Sequence, residues 1–254
     1  MISTHPIAGE VANTEQASTI FDGITYDKGA STVKCLHSVV GHETLGKAMN
    51  QYFTKFAFRN TTFSDLVDCL QKNTSYDMHT WGDQWIRKAG HNYLKPEYKY
   101  NENSQQFESF FLRQGNVVKN REDCRTLRHH TMKLAFFDGS GRCYLEKVVN
   151  IKNQEKTQID VLNASGAGNE VKTHQGFKAV LLNYEDLDFV RVLMDKQSQK
   201  WFTDNLEKIE DEFSRAVVIR SLLFSMSYDR ITITDFESIF ERALYMKNSV
   251  STHS

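Results

Sequence analysis

The apolar positions of the chain change period twice. Between residues 14 and 90 they recur at helical spacing. Leu45, Met49, Tyr52, Phe53 and Phe56 fall at i, i+4, i+7, i+8 and i+11, which predicts a helix over 43–56 with one apolar face. A second helix should start after Thr62, whose hydroxyl can cap free N–H groups. It carries Phe63, Leu66, Val67 and Leu70 at i, i+3, i+4 and i+7. A third holds Met78, Trp81, Trp85 and Ile86, with Gly90 as the expected C-terminal cap.

From Leu94 the period shortens toward two. Residues 106–112 alternate through Phe107, Ser109 and Phe111, and 131–137 point Met132, Leu134 and Phe136 one way. Asp138-Gly139-Ser140-Gly141 is a turn signal and an extended pattern resumes over 143–151, so the two segments predict a hairpin. Residues 159–162 and 177–182 supply further strands, and the Gly-, Ser-, Asn- and Thr-rich stretch 163–176 reads as a loop. Several short strands in ~90 residues predict a small β-sandwich. Near Asp195 helical spacing returns. Trp201, Phe202, Leu206 and Ile209 form one stripe; Phe213, Ala216, Val217 and Met226 sit in the next helix; Phe236, Ile239, Phe240 and Leu244 form a third. The pattern is that of an α+β multidomain chain: helices over 1–93, a β-sandwich over 94–190, and the start of an α-helical domain over 191–254.

A length of 254 residues at 40% hydrophobic content is enough for one sizeable core or several small ones. Basic and acidic residues nearly balance, 31 against 32, so there is no electrostatic case for nucleic acid. The nearest basic cluster mixes Arg121, Arg125 and Arg128 with Glu122 and Asp123 and reads as a solvated loop. No apolar run approaches the ~20 residues that span a bilayer. The opening Met-Ile-Ser-Thr-His-Pro lacks the basic and apolar regions of a signal peptide, so the expectation is a cytoplasmic protein with no membrane segment. Cys35, Cys69, Cys124 and Cys143 form no CxxC pair and suit reduced, mostly buried thiols. Asn60, Asn73 and Asn163 head Asn-x-Ser/Thr triplets at a frequency close to chance.

Nine histidines invite a search for metal ligands. His42-Glu43 begins like a His-Glu-x-x-His zinc motif, but Gly46 stands where the second histidine belongs. His129 and His130 are neighbours on an expected strand and should point to opposite faces. There is no Gly-rich phosphate loop and no Gly-x-Ser-x-Gly elbow. The residues therefore give no metal ligand and no cofactor for this chain.

The N-terminal segment is the informative one. It runs Ser3-Thr4-His5-Pro6-Ile7, then Ile20-Phe21-Asp22-Gly23-Ile24-Thr25-Tyr26-Asp27-Lys28-Gly29-Ala30-Ser31. This resembles the stretch just downstream of the zinc ligands in the aminopeptidase N family of zinc aminopeptidases (peptidase M1). There a His-Pro-Ile segment leads into Phe-Asp-x-Ile-x-Tyr-x-Lys-Gly-Ala. Tyr52, Phe56, Asn60, Asp65 and Leu66 look like the family's following helices. Trp85, Ala89, Gly90, Asn92 and Leu94 resemble the end of its catalytic domain. Leu182, Asn183, Asp195, Ser198, Leu206, Ile209 and Arg215 resemble the start of its C-terminal helical domain. The likeness is weak over 100–175.

The resemblance implies that 1–93 is a helical remnant of a thermolysin-like catalytic domain. It implies a metallopeptidase that releases N-terminal amino acids from peptides, with zinc in the intact enzyme. Attack on the first peptide carbonyl puts negative charge on its oxygen, and one aimed phenol O–H there is worth roughly 3–4 kcal/mol. By position in the motif, Tyr26 is that catalytic phenol. His5 has no zinc role in the pattern, and Lys28 reads as one half of a salt bridge. The family's His-Glu-x-x-His and its Gly-x-Met-Glu-Asn amine anchor do not occur in these 254 residues. The expectation is a fragment, inactive alone, that holds no zinc, with apolar helix faces left exposed for association. The alternative is a non-catalytic binding or scaffold protein that keeps the fold.

Overall fold

A computed structural model describes residues 4–9, 13–15, 21–161, 176–228, and 232–241 apart from 235 and 238. The chain is mixed α and β, and its contacts divide it into two compact units. The first comprises 1–92, 116–131 and 187–189; the second comprises 93–115, 132–186 and 190–254. The expected loop over 163–176, apart from Gly176, and Leu162 and Leu244 lie outside the described residues.

The first unit is helical. A π-helical turn, Ile24–Lys28, runs directly into α1 (Gly29–Val40), followed by α2 (His42–Lys55), α3 (Phe63–Gln71) and α4 (Met78–Gly82). A second π-helical turn, Asp83–Arg87, extends α4. The helix starts follow from their caps. Asp65 Oδ2 accepts the Thr62 backbone N–H at 2.8 Å, and Asp77 Oδ1 accepts the Thr80 N–H at 2.9 Å, so N–H groups left free by the first turn find partners. Leu36, Ala48, Val67, Leu70, Met78, Trp81 and Trp85 form the core. The apolar stripe expected on α2 is only half used: Ala48 is the helix's buried residue, and Phe53 is 64% exposed. Helical geometry ends at Arg87, three residues before the expected cap at Gly90. Gly90 instead takes φ +75° in the turn that follows, where a Cβ would lie 3.0 Å from that of Cys124.

The second unit is built on two sheets. Its strands are β1 (Asn92–Asn101), β2 (Gln106–Asn116), β3 (His130–Phe137), β4 (Cys143–Ile151), β5 (Lys156–Gln158), β6 (Ala179–Tyr184) and β7 (Arg191–Val192). One sheet has the order β5-β2-β1-β7 and the other β4-β3-β6. The hairpin expected at 138–141 is the β3–β4 turn, where Asp138 N–H donates to Arg142 O at 3.1 Å and Gly141 sits at φ +92°. β3 and β6 are antiparallel in the register Leu134↔Leu182 and Phe136↔Val180. The sheets stack through aromatic rings: Phe107 and Phe110 on β2 each meet Phe136 on β3 at 5.7 Å between centroids. The buried phase of β2 slips by one residue, so Phe107, Phe110, Leu112 and Gln114 face inward, and Ser109 and Phe111 do not. The expected alternation through Phe107, Ser109 and Phe111 therefore holds only at its first residue.

Two helices share that core. α5 (Lys196–Asn205) is capped by Asp195, which accepts the Ser198 N–H at 2.9 Å, and it presents Phe202 inward. Leu206 and Ile209 complete its stripe just beyond the helix end. α6 (Glu212–Met226) buries Ser214, Val217, Val218, Ser221, Leu222 and Ser225. Phe213 and Ala216, expected within this helix, lie on it and are exposed. No helix among the described residues is long and apolar enough to cross a membrane.

Candidate functional site

Asp22 opens the turn that carries Tyr26. Its Oδ1 accepts the backbone N–H groups of Ile24 at 2.9 Å and Thr25 at 3.1 Å. Its Oδ2 lies 2.9 Å from His5 Nε2, and the other ring nitrogen of His5 lies 2.7 Å from the Pro6 carbonyl. Both partners of the imidazole are acceptors, so the form that satisfies both is the doubly protonated ring. The Pro6 carbonyl, followed by Asp22, accordingly raises the His5 pKa, and the His5 hydrogen bond holds Asp22 below its ordinary value.

Tyr26 follows within the π-helical turn, its backbone N–H donating to Asp22 O at 3.1 Å. Its ring is 59% exposed and stacks on Phe21, itself 67% exposed, with centroids 6.2 Å apart. The phenol is thus open to an incoming group and not sealed in the core.

Lys28 closes the same turn and is buried, with 5% of its surface exposed. Its Nζ donates to Lys88 O at 3.3 Å and Gly90 O at 3.2 Å. The expected salt bridge does not form: among the described residues the ammonium meets backbone carbonyls in place of a carboxylate. Burial, with Arg128 adding to it, pushes its pKa down to about 8. Arg128, expected on a solvated loop, is wholly buried. It donates to Gln84 O at 2.8 Å, Lys88 O at 3.3 Å, Ala89 O at 2.9 Å and Asn92 Oδ1 at 3.2 Å, and its guanidinium lies 5.5 Å from the Trp85 ring centroid. Burial lowers its pKa to about 10. The physical reason both cations tolerate burial is the same. The last-turn carbonyl of Gln84, which carries part of the negative pole of the helix dipole, and the non-helical carbonyls of 88–90 just beyond it are gathered around the two side chains.

β3 begins at His130, so His129 lies just before the strand, and the two rings find different neighbours. The His129 ring meets Tyr76 at 6.3 Å. His130 is buried, with Nδ1 2.9 Å from Asp188 Oδ2 and its ring edge-on to Trp85 at 5.4 Å. Cys35 Sγ lies 3.6 Å from Asp188 Oδ1 and accepts the Phe189 N–H at 3.1 Å. Among the described residues no three His, Cys, Asp or Glu side chains are grouped to hold a metal ion, so this donor set does not fit zinc. Cys35, Cys69 and Cys124 are buried and Cys143 half-buried, and none of the four is in a disulfide among the described residues.

Sequence reasoning selected Tyr26 but missed what holds it. The Asp22–His5 pair was legible in principle, since Asp-x-Ile-Thr ahead of a helical segment is a capping pattern. The burial of Lys28 and Arg128 carried no signal in spacing.

Comparison with known proteins bears on the same segment. Residues 1–85 match the peptidase family M1 domain. Aminopeptidase N of Streptomyces lividans is 31% identical over 217 residues, covering 85% of this chain and 24% of that protein. Glutamyl aminopeptidase of Sus scrofa is 23% identical over 247 residues, covering 97% of this chain and 24% of that protein. Tricorn protease-interacting factor F2 of Thermoplasma volcanium is 34% identical over 93 residues, 37% of this chain and 12% of that protein. The chain thus spans 24% or less of the length of these three relatives.

Proposed function

Because the chain belongs to the M1 family of aminopeptidases, we propose that it carries the oxyanion-facing part of a peptidase that removes N-terminal amino acids, with Tyr26 as the hydrogen-bond donor. The observation that carries this reading is an open phenol on a fastened turn, inside the segment matched by the family domain. A phenol O–H presented to a peptide carbonyl stabilises the oxygen more as negative charge builds on it, which is what accelerates the step. The His-Glu-x-x-His motif, which carries the general base and zinc ligands of M1 aminopeptidases, does not occur in these 254 residues. By resemblance to the family, we assign 1–93 to the catalytic domain, 94–190 to a β-sandwich and 191–254 to the start of a helical domain. Four cysteines outside any disulfide support a reducing, cytoplasmic setting.

Two measurements test the reading. In an intact M1 aminopeptidase with the same Phe-Asp-x-Ile-x-Tyr segment, Tyr→Phe at the position of Tyr26 cuts kcat by roughly 10²–10³ and leaves KM nearly unchanged. Full activity in that variant demotes Tyr26 to packing. The purified chain alone carries no stoichiometric zinc and does not turn over an aminoacyl-arylamide. One zinc per chain with sustained hydrolysis would show that ligands and base are present after all.

A second reading, a non-catalytic binding module with the same fold, draws on the exposed Phe21, Val33, Phe53 and Phe58 of the first unit. Such side chains are what a partner polypeptide would cover. The Tyr→Phe result separates the two, because a scaffold has no chemical use for the phenol.

A further inference from the structure

Among the described residues no side chain holds the Tyr26 hydroxyl, and the ring is mostly in solvent. Its aim is therefore set by the backbone turn that bears it. That turn is π-helical, a form rarer and looser than the α-helix. The Tyr26 N–H already makes an α-type bond to Asp22 O, so relaxation of the rest of the turn to α-helical geometry would shift the register between Tyr26 and α1 by one residue, about 100° around the helix axis. Something must hold the turn in its present form. Asp22 secures the N-terminal side through two backbone N–H groups. The C-terminal side is secured by Lys28, which reaches a segment 60 and 62 residues further along the chain.

We propose that Lys28 is the positioning residue of Tyr26: its ammonium, seated on the carbonyls of Lys88 and Gly90, keeps the π-helical turn that aims the phenol. The proposal rests on the reading of Tyr26 as the oxyanion donor. The seat itself is rigid. Arg128 donates to Lys88 O, one of the two carbonyls that receive Lys28, and to the nearby Ala89 O and Gln84 O, so the segment that bears the seat is held from a second side. Backbone carbonyls also suit this task better than a carboxylate, since a free side chain could follow the ammonium as it moved. Thr32 adds to the same end of the turn, its hydroxyl donating to Lys28 O at 2.8 Å.

The first arm of the test uses this chain. The ten tyrosines are labelled at Cζ with ¹³C, and Tyr26→Phe assigns the Tyr26 resonance. Lys28→Met should move or split that resonance while the other nine stay in place. An unmoved Tyr26 signal in a folded variant overturns the proposal. If Lys28→Met loses the whole spectrum, Lys28→Gln decides: it keeps a donor but is too short to span both carbonyls, and it should displace Tyr26 alone. The second arm uses an intact M1 peptidase with the same Tyr-x-Lys-Gly-Ala segment. There the Lys→Met change lowers kcat about tenfold to a hundredfold with KM within about twofold. It has no further effect once the tyrosine is already Phe. Additive losses overturn the positioning role. A fully active Tyr→Phe enzyme instead sinks the reading of Tyr26, and the resonance arm then still decides whether Lys28 holds the turn.

Discussion

At the scale of single residues, Lys28 shows how burial without a counter-ion is written into pH dependence. Its pKa falls from 10.5 in the open chain to about 8 in the fold. Between those values the unfolded chain holds the proton and the folded chain has released it, so this group's contribution to stability rises with pH across that window. Below pH 8 both states are protonated and the contribution is flat at its lowest. The stability of the native chain relative to Lys28→Met should therefore climb from pH 8 to pH 10, as read by urea unfolding of both proteins across that range. A constant difference, or one that shrinks, would show that the ammonium is better solvated than the geometry indicates. The comparison with a variant is needed because Cys124, beside the same cluster, has a raised pKa and acts in the opposite direction. None of this was legible in the sequence. Arg121, Arg125 and Arg128 lie in one run of similar composition, yet Arg128 is buried and the other two are exposed. What separates them is the placement of helix-end carbonyls contributed from around residue 88, which spacing within the run cannot encode.

At the scale of elements, α6 marks the limit of reading faces from hydrophobicity. Its inner side holds three serines. Ser221 donates to Val217 O at 2.8 Å and Ser225 to Ser221 O at 2.9 Å, so each hydroxyl is satisfied within the helix and can be buried like a small apolar group. Counting serine as an outward residue would leave that face only Val217, Val218 and Leu222. The start of the same helix was not singled out from the sequence, although Asp211 stands three residues before Ser214 and accepts its N–H at 2.6 Å. Asp211→Ala should cost about 1 kcal/mol in chemical denaturation, mostly as earlier loss of helical signal. A neutral result would mean that the shared core alone fixes where α6 begins. Strands behave likewise. The β3–β4 hairpin and the inward Met132, Leu134 and Phe136 were plain in the pattern, because one buried face and a Gly-containing turn each leave a strong mark. The phase slip of β2 was hidden, because Phe110 and Phe111 are equally apolar and only the packing against Phe136 selects the former.

At the scale of the whole molecule, the two changes of period anticipated a mixed chain with helices before and after a region of strands. They did not anticipate that the first compact unit is assembled from three separated stretches, 1–92, 116–131 and 187–189. Local periodicity reports on neighbours along the chain and says nothing about which distant segments return. The returning segments are short but chemically specific: His130 and Asp188 form a buried pair, and Cys35 meets both Asp188 and the Phe189 N–H.

That arrangement imposes an order on biosynthesis. When synthesis has reached residue 100, α1 to α4 of this unit have been made, yet neither His130 nor the carboxylate that meets it has. The unit can close only after residue 189 has left the exit tunnel, by which time β1 to β6 have also emerged. A chain released before that point would leave an imidazole and a thiol in the interior with no acid between them.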